Sequence, residues 1–252
     1  MRLQGKIAIV TGAASGFGEG IARRFAAEGA SVVAADMNLE GARRLAAEIG
    51  AVAVGGDVSQ GADARGIVDA AVRSFGGLDV VVNNAGTTHR NRPMLEVDEA
   101  TFDRIYAVNV KSIYWMAQFA VPVLRRERND GRSGGSIINI GSTAGISPRP
   151  GLVWYNGTKG AVNTMTMCMA TELAPDNIRV NSVCPVIGAT ALVSEFMGGE
   201  DTPELRERFL ASIPLGRMST PADIANACVW LAEDSSSFIT GVLLPVDGGR
   251  CA

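Results

Sequence analysis

The feature that most constrains this chain is the run Lys6-Ile7-Ala8-Ile9-Val10, apolar throughout after its lysine and halted by Thr11-Gly12-Ala13-Ala14-Ser15-Gly16-Phe17-Gly18. A short unbroken apolar run bounded by turn residues reads as a strand buried on both faces, the kind a parallel sheet needs. Ile21, Ala22, Phe25 and Ala26 then recur at helical spacing up to Gly29, so the glycine turn opens an amphipathic helix. In that order, glycines let the backbone approach a ligand, and the helix N-terminus offers free N–H groups and a positive dipole end to a pyrophosphate. No Gly-Lys-Ser/Thr follows, which removes the P-loop reading. Gly12, Ser15, Gly16, Phe17 and Gly18 are therefore candidate nucleotide contacts.

The same alternation continues along the chain. Ser31 to Ala35 reads as a second strand ending at Asp36, Ala51 to Gly55 as a third followed by Asp57-Val58, and Leu78 to Val82 as a fourth running into Asn83-Asn84-Ala85-Gly86. Helical patterns at Leu39 to Ile49 and from Ser59 to Phe75 separate them. Later strands are read at Ser136 to Ile140, Ile178 to Val183 and Thr240 to Gly249, with helical patterns over Val97 to Val123 and Thr220 to Leu231. Strands alternating with helices at this pace imply an α/β doubly wound parallel sheet of about seven strands, whose ligands bind beyond the carboxyl ends of the strands. Arg125 to Gly135 reads as a charged surface turn, and Ala191 to Ile213 as a small helical lid over the site. With no repeat or linker, residues 1–252 are expected to form one domain.

Asp36 lies about 20 residues past the glycine turn, where an acidic side chain suits a free ribose 2′-hydroxyl and repels a 2′-phosphate. NAD is thus expected over NADP. Asn38 is placed to cap the next helix.

Tyr155 and Lys159 are spaced i and i+4 in a stretch whose apolar residues Val162, Met165, Met169 and Leu173 continue at helical spacing. A free phenol, with a pKa near ~10, is a poor base at neutral pH; a neighbouring ammonium favours its ionised form. Lys159 is expected to supply that shift. Ser142 closes the fifth strand on the same rim as the glycine turn and reads either as a ligand for a substrate oxygen or as a turn-stabilising serine. Asn109, between Val108 and Val110, is a polar core residue that bends a helix or part of a water relay. His89, the lone histidine, is read as an exposed loop residue; a serine hydrolase built on it and Ser142 lacks the G-x-S-x-G elbow.

Composition excludes several classes. A net charge of −3 leaves no basic footprint for nucleic acid. The four cysteines are far apart without a C-x-x-C pair, which argues against a metal site or a disulfide framework. No apolar run reaches membrane-spanning length, and the first ten residues lack a signal-peptide core, so a soluble cytoplasmic protein is expected.

Thr11-Gly12-x-x-x-Gly16-x-Gly18, Asp57, Asn83-Asn84-Ala85-Gly86, Asn109, Ser142 and Tyr155-x-x-x-Lys159 together resemble the short-chain dehydrogenase/reductase family over nearly the whole chain. The resemblance implies a Rossmann sheet, often in homotetramers, and hydride transfer between a nicotinamide and a small alcohol or carbonyl. It implies Tyr155 as acid/base, Ser142 orienting the substrate oxygen, and Lys159 binding the nicotinamide ribose and lowering the Tyr155 pKa. Asn109 would hold a water that links Lys159 to solvent. Cofactor contacts are implied at Asp57, Val58, Asn84, Ala85, Gly86, Ile187 and Thr190. The chain departs from the family at Pro185-Val186, where Pro-Gly is usual.

Asn83 to Arg90, Gly151 to Tyr155 and Phe196 to Arg208 are similar to stretches of bacterial dehydrogenases of aromatic aldehydes and alcohols. Trp154, Phe196 and Met197 suggest an apolar or aromatic guest, and Arg90 and Arg92 read either as partners for an anionic group on it or as surface arginines. Two rivals are an NADPH-dependent 3-oxoacyl reductase, which Asp36 disfavours, and a non-catalytic nucleotide sensor on the same fold.

Overall fold

The computed structural model describes residues 1–126, 133–188, 193–198 and 202–252. Strand β1 (Ile7–Thr11) is buried at every position and leads through the glycine turn into α1 (Gly16–Ala27). There follow β2 (Ser31–Asp36), α2 (Leu39–Ile49), β3 (Val52–Gly55), α3 (Gly61–Phe75) and β4 (Val80–Asn83). Next come α4 (Glu99–Tyr106), a π-helical turn (Ala107–Lys111), α5 (Ser112–Leu124), β5 (Gly135–Ile140), α6 (Val153–Leu173) and β6 (Ile178–Pro185). The chain finishes with α7 (Val193–Met197), α8 (Pro203–Leu210), α9 (Pro221–Ala232) and β7 (Leu243–Val246).

Among the described residues the strands form one sheet in the order β3-β2-β1-β4-β5-β6-β7, with every pairing parallel. Strand alternation feeds two cores. Ala8 and Val10 of β1 pack with Ile21 and Phe25 of α1 and Ile224 and Val229 of α9, whereas Ile7 and Ile9 pack with Ile67 of α3, Met116 of α5 and Leu173 of α6. The doubly wound expectation therefore holds. Its consequence is a reversal of winding between β1 and β4, which opens a crevice at their carboxyl ends.

Local chemistry fixes the boundaries. Asn38 caps α2 by accepting from the Gly41 amide at 3.0 Å, and Gly50 ends that helix in the left-handed region at φ 69°. Thr220 and Asp223 form a reciprocal capping box at the start of α9. Ser59 does not open α3 as expected: its amide bonds the Asp57 carboxylate at 2.9 Å, and the helix begins two residues later. The expected last strand shortens to four residues. Residues 127–132 of the charged turn, Thr190, and residues 189–192 and 199–201 beside or within the expected lid lie outside the described residues.

Candidate active site

The crevice widens into a cavity of about 660 Å³ bounded by the Gly12 turn, the ends of β2, β4 and β5, α6, and side chains of α7 and α8. Gly12, Ser15, Gly16, Phe17, Asp36, Asp57, Val58, Asn84, Ala85, Gly86, Ser142, Tyr155, Lys159 and Ile187 all line it, so residues read separately along the sequence converge on one space.

The glycine turn is shaped by close approach. Gly12 has φ 66°, and a Cβ there would lie 2.9 Å from the Ala85 Cα and from the Asn84 amide nitrogen. The Asn84 amide holds the turn, donating to the carbonyl of Thr11 at 2.8 Å and of Gly12 at 3.2 Å. Gly18 stands behind the turn: a Cβ there would overlap the Gly12 carbonyl, so this glycine lets α1 meet β1 without itself facing the cavity. Gly188 plays the same part for Phe17, whose ring occupies the space a side chain would need. This cradle leaves backbone open toward the cavity and fits a dinucleotide pyrophosphate.

Asp36 is held by two amides, Ala14 N at 2.9 Å and Asn38 N at 2.8 Å, which fix its carboxylate at the cavity wall. Asp57 is likewise anchored through Ser59. At the family departure, Val186 is buried with Ile187, Val193 and Ile213, so the extra side chain joins an apolar cluster against which Phe196 of α7 and Phe209 of α8 pack.

At the other end of the cavity α6 presents Tyr155 and Lys159, both more than nine-tenths buried. Lys159 Nζ donates to the Ile140 carbonyl at 2.8 Å and sits 5.8 Å from the Tyr155 ring centre. Ser142 lines the cavity, and its hydroxyl accepts from the Ala144 amide at 3.0 Å as a turn-stabilising serine does. Burial pushes the phenol up to about 12, against the downward pull of the Ser142 hydroxyl and then the Arg149 guanidinium. The expected lowering by Lys159 is thus corrected for the protein's own groups. The same burial pushes Lys159 down to about 8, and its ammonium is engaged by a backbone carbonyl.

Asn109 lies in the π-helical turn, a bulge that often marks functional positions. Its amide donates to Thr87 O at 2.9 Å and Thr158 Oγ1 at 3.0 Å, while its oxygen accepts from Thr87 N at 2.8 Å. A Cβ on Gly86 would lie 3.4 Å from Asn109 Oδ1 and 3.8 Å from Lys159 Nζ, which places the two side chains around one glycine. Asn109 itself is behind the cavity wall.

Several expectations about the substrate side fail. His89 is only 4% exposed, because its loop folds inward; Nδ1 lies 2.8 Å from the Arg90 carbonyl, so it carries the proton. Arg90 is turned away, donating to the Gly198 carbonyl at 3.0 Å, and Arg92 does not line the cavity. Trp154 faces Phe102 and donates to the Met94 carbonyl. Phe196 does line the cavity, its ring edge-on to Tyr155 at 5.2 Å, but the Met197 side chain lies outside the described residues. Phe209, Arg149 and Arg250 complete this wall: the first lies in the expected lid and the second in the segment Gly145 to Trp154, also expected at the pocket, although neither is singled out by the sequence, and Arg250 is missed altogether.

A family model described as enoyl-(acyl carrier protein) reductase matches residues 12–250. The chain belongs to the short-chain dehydrogenase/reductase family. It is 51% identical to 4-formylbenzenesulfonate dehydrogenase of Comamonas testosteroni over 99% of each chain. It is 38% identical to 3-oxoacyl-(acyl-carrier-protein) reductase of Thermotoga maritima, again over 99% of each. A crystal structure of 3-ketoacyl-(acyl-carrier-protein) reductase from Brucella melitensis complexed with NADH superposes with a TM-score of 0.93 at 45% identity, covering 99% of this chain and 100% of that one. As a short-chain dehydrogenase/reductase the protein is a nicotinamide-dependent oxidoreductase of alcohol or carbonyl groups. Among its described residues no helix is long and apolar enough to cross a membrane.

Proposed function

We propose that the protein interconverts an aromatic aldehyde and its alcohol with NAD(H), using Tyr155 as proton donor and acceptor. The carrying observation is one cavity with Asp36 and the Gly12 turn at one end and Ser142, Tyr155 and Lys159 at the other. The nicotinamide, when bound, supplies or takes up the hydride. Tyr155 Oη gives its proton to the carbonyl oxygen in reduction and takes it back in oxidation. Ser142 Oγ donates a hydrogen bond to that oxygen and fixes its approach to the phenol. Lys159 holds positive charge beside the phenolate as it forms, and Asn109 steadies the backbone of Thr87 at the same wall.

Gly12, Ser15, Gly16 and Phe17, backed by Gly18, form the pyrophosphate turn, Asp57 and Val58 with Asn84, Ala85 and Gly86 the middle of the nucleotide groove, and Ile187 the nicotinamide end. NAD is favoured over NADP by the anchored Asp36 carboxylate, which accepts from a ribose 2′-hydroxyl and repels a phosphate. The aromatic guest is supported by the Phe196 and Phe209 walls and by the substrate named for the Comamonas relative. The working form is one catalytic domain per chain in a cytoplasmic homotetramer, for which exposed Tyr114, Met167 and Phe238 offer apolar contact surface. Helices α7 and α8, the described part of the expected lid, close over the substrate.

A second reading, 3-oxoacyl reduction, is supported by the activity named for the Thermotoga and Brucella proteins. The two part in one assay. A panel of aryl aldehydes and 3-oxoacyl thioesters followed by nicotinamide absorbance should give turnover of the aldehydes, faster with NADH than NADPH. Turnover of the thioesters alone overturns the proposal, and a preference for NADPH overturns its cofactor half.

A further inference from the structure

Two arginines face the substrate end of the cavity, and no carboxylate among the described residues pairs with either. Arg149 enters on the segment before α6, its backbone carbonyl tied by Asn156 Nδ2 at 2.7 Å, and its guanidinium lies 4.7 Å over the Phe209 ring. Arg250 arrives from beyond β7, near the other end of the chain, and lines the same cavity. Burial first, and then the Arg250 charge, hold Arg149 below the usual guanidinium range, which reports two like charges kept close in a partly desolvated space. The acidic residues of the cavity cannot neutralise them. Asp36 and Asp57 are held at the nucleotide end by backbone amides, away from the two arginines.

Two half-buried guanidiniums held close together without a carboxylate partner repel each other, and an anion placed between them relieves that repulsion. Arg149 also acts on Tyr155, so that anion would sit within one small molecule's length of the reacting oxygen. Between them, Phe196 is edge-on to Tyr155 and Phe209 is stacked under Arg149, two aromatic walls suited to a flat ring. Guanidinium forks match planar or tetrahedral oxyanions through paired hydrogen bonds.

We propose that Arg149 and Arg250 form a subsite for an anionic substituent, carboxylate or sulfonate, on an aromatic substrate whose carbonyl or alcohol group is held at Tyr155. The subsite rests on the aryl aldehyde reading above and gives it a charge requirement. An adequate test compares 4-carboxybenzaldehyde with 4-methylbenzaldehyde, nearly equal in shape and different in charge. In the native enzyme kcat/KM favours the anionic aldehyde, and the preference shrinks as salt is raised. Arg149→Gln lowers the ratio of the two kcat/KM values about tenfold or more, chiefly through KM of the anionic substrate, as loss of a charge-assisted hydrogen bond implies. Any effect of the variant on the Tyr155 phenol falls on both aldehydes and cancels in the ratio. Arg149→Lys keeps more of the ratio than Arg149→Gln, and Arg250→Gln, altered in a different segment, lowers it independently.

Calorimetric titration of 4-methylbenzoate into the native protein and the two glutamine variants reads the same subsite without turnover, and both variants should bind it more weakly. An unchanged ratio together with unchanged benzoate affinity overturns the subsite. Native turnover of the neutral aldehyde with no preference for the anionic one also overturns it, while leaving the aldehyde reading standing. Benzoate binding that depends on Arg149, with neither aldehyde turned over, supports the subsite and overturns the aldehyde reading.

Discussion

At the nucleotide end of the cavity the walls are strand ends and backbone between Gly12 and Gly86, whereas at the substrate end they are side chains from Ser142, Arg149, Tyr155, Phe196, Phe209 and Arg250. The first region is set by the sheet. Its glycines, Asp36 and Asn84 sit where parallel strands must deliver them, and each is pinned by a close contact or a hydrogen bond. The second region is assembled by packing of segments distant in sequence. One end can therefore be altered with consequences for folding and nucleotide affinity, the other with consequences for which molecule reacts.

The largest expected separation of the two comes from Tyr155→Phe. Removing the phenol takes away the proton donor while keeping the ring that packs against Phe196, so kcat should fall by roughly 10²- to 10⁴-fold, the usual worth of a positioned acid/base. NADH affinity, measured by fluorescence titration, should stay within a few-fold. Preserved turnover would sink the mechanism. The pH profile sharpens this. Reduction needs the protonated phenol, and burial holds that proton up to about 12, so reduction should be level through neutral pH. Oxidation needs the phenolate and should climb as pH rises, about tenfold per unit where ionisation limits the rate. A rate of oxidation that falls with rising pH contradicts the role of Tyr155.

Next in size is Gly18→Ala, which strikes the nucleotide end without touching the cavity. The added methyl overlaps the Gly12 carbonyl, and overpacking of this kind costs about 1–3 kcal/mol. The melting temperature should drop by several degrees, and NADH should bind more weakly. If stability and affinity are both unchanged, α1 does not lie against β1 as described.

The same division explains what could be read from the sequence. Continuous apolar runs and helical periods announce a parallel α/β sheet, and the glycine turn, Asp36 and the Tyr155/Lys159 pair follow from strand ends and an i, i+4 spacing. Burial of polar loop residues does not follow from local pattern, so the sequence places His89 in solvent where the fold buries it. The Tyr155 proton affinity escapes the sequence for a related reason: spacing reveals a nearby cation, but not that desolvation acts on both partners. The lid pattern brings the Phe209 segment to the site, but nothing local pairs Phe209 with Arg149 or Arg250, since each becomes a neighbour of the others only through the tertiary fold.

Asp36→Ala tests whether the nucleotide end discriminates as well as binds. The variant loses an acceptor for the ribose and a repulsive charge toward a 2′-phosphate, so the NADH-to-NADPH ratio of kcat/KM should fall by about tenfold or more. Because Asp36 also accepts from Ala14 and Asn38, part of the loss will be common to both nucleotides, which the ratio removes. An unchanged ratio assigns discrimination elsewhere.

The smallest expected effect, and the one that probes how far the nucleotide end extends, is Thr220→Ala at the start of α9. Thr220 and Asp223 satisfy each other's backbone amides, and Arg217 reinforces the pair at 2.6 Å. That ion pair, chiefly, holds Asp223 well below the ordinary carboxylate range. The contribution is therefore complete at neutral pH and is lost as pH falls below the usual carboxylate pKa toward the lowered one. Losing the cap should cost about 1 kcal/mol, a shift of roughly 2–4 °C in melting temperature. Pro221 of α9 meets α1 at Gly20, where a Cβ would come within 2.6 Å, so the cap lies one helix away from the pyrophosphate turn. If the turn is held by β1 and Asn84 alone, NADH affinity will not follow the lost stability. A matching loss of affinity would instead make the packing of α1 on α9 part of what positions the cofactor.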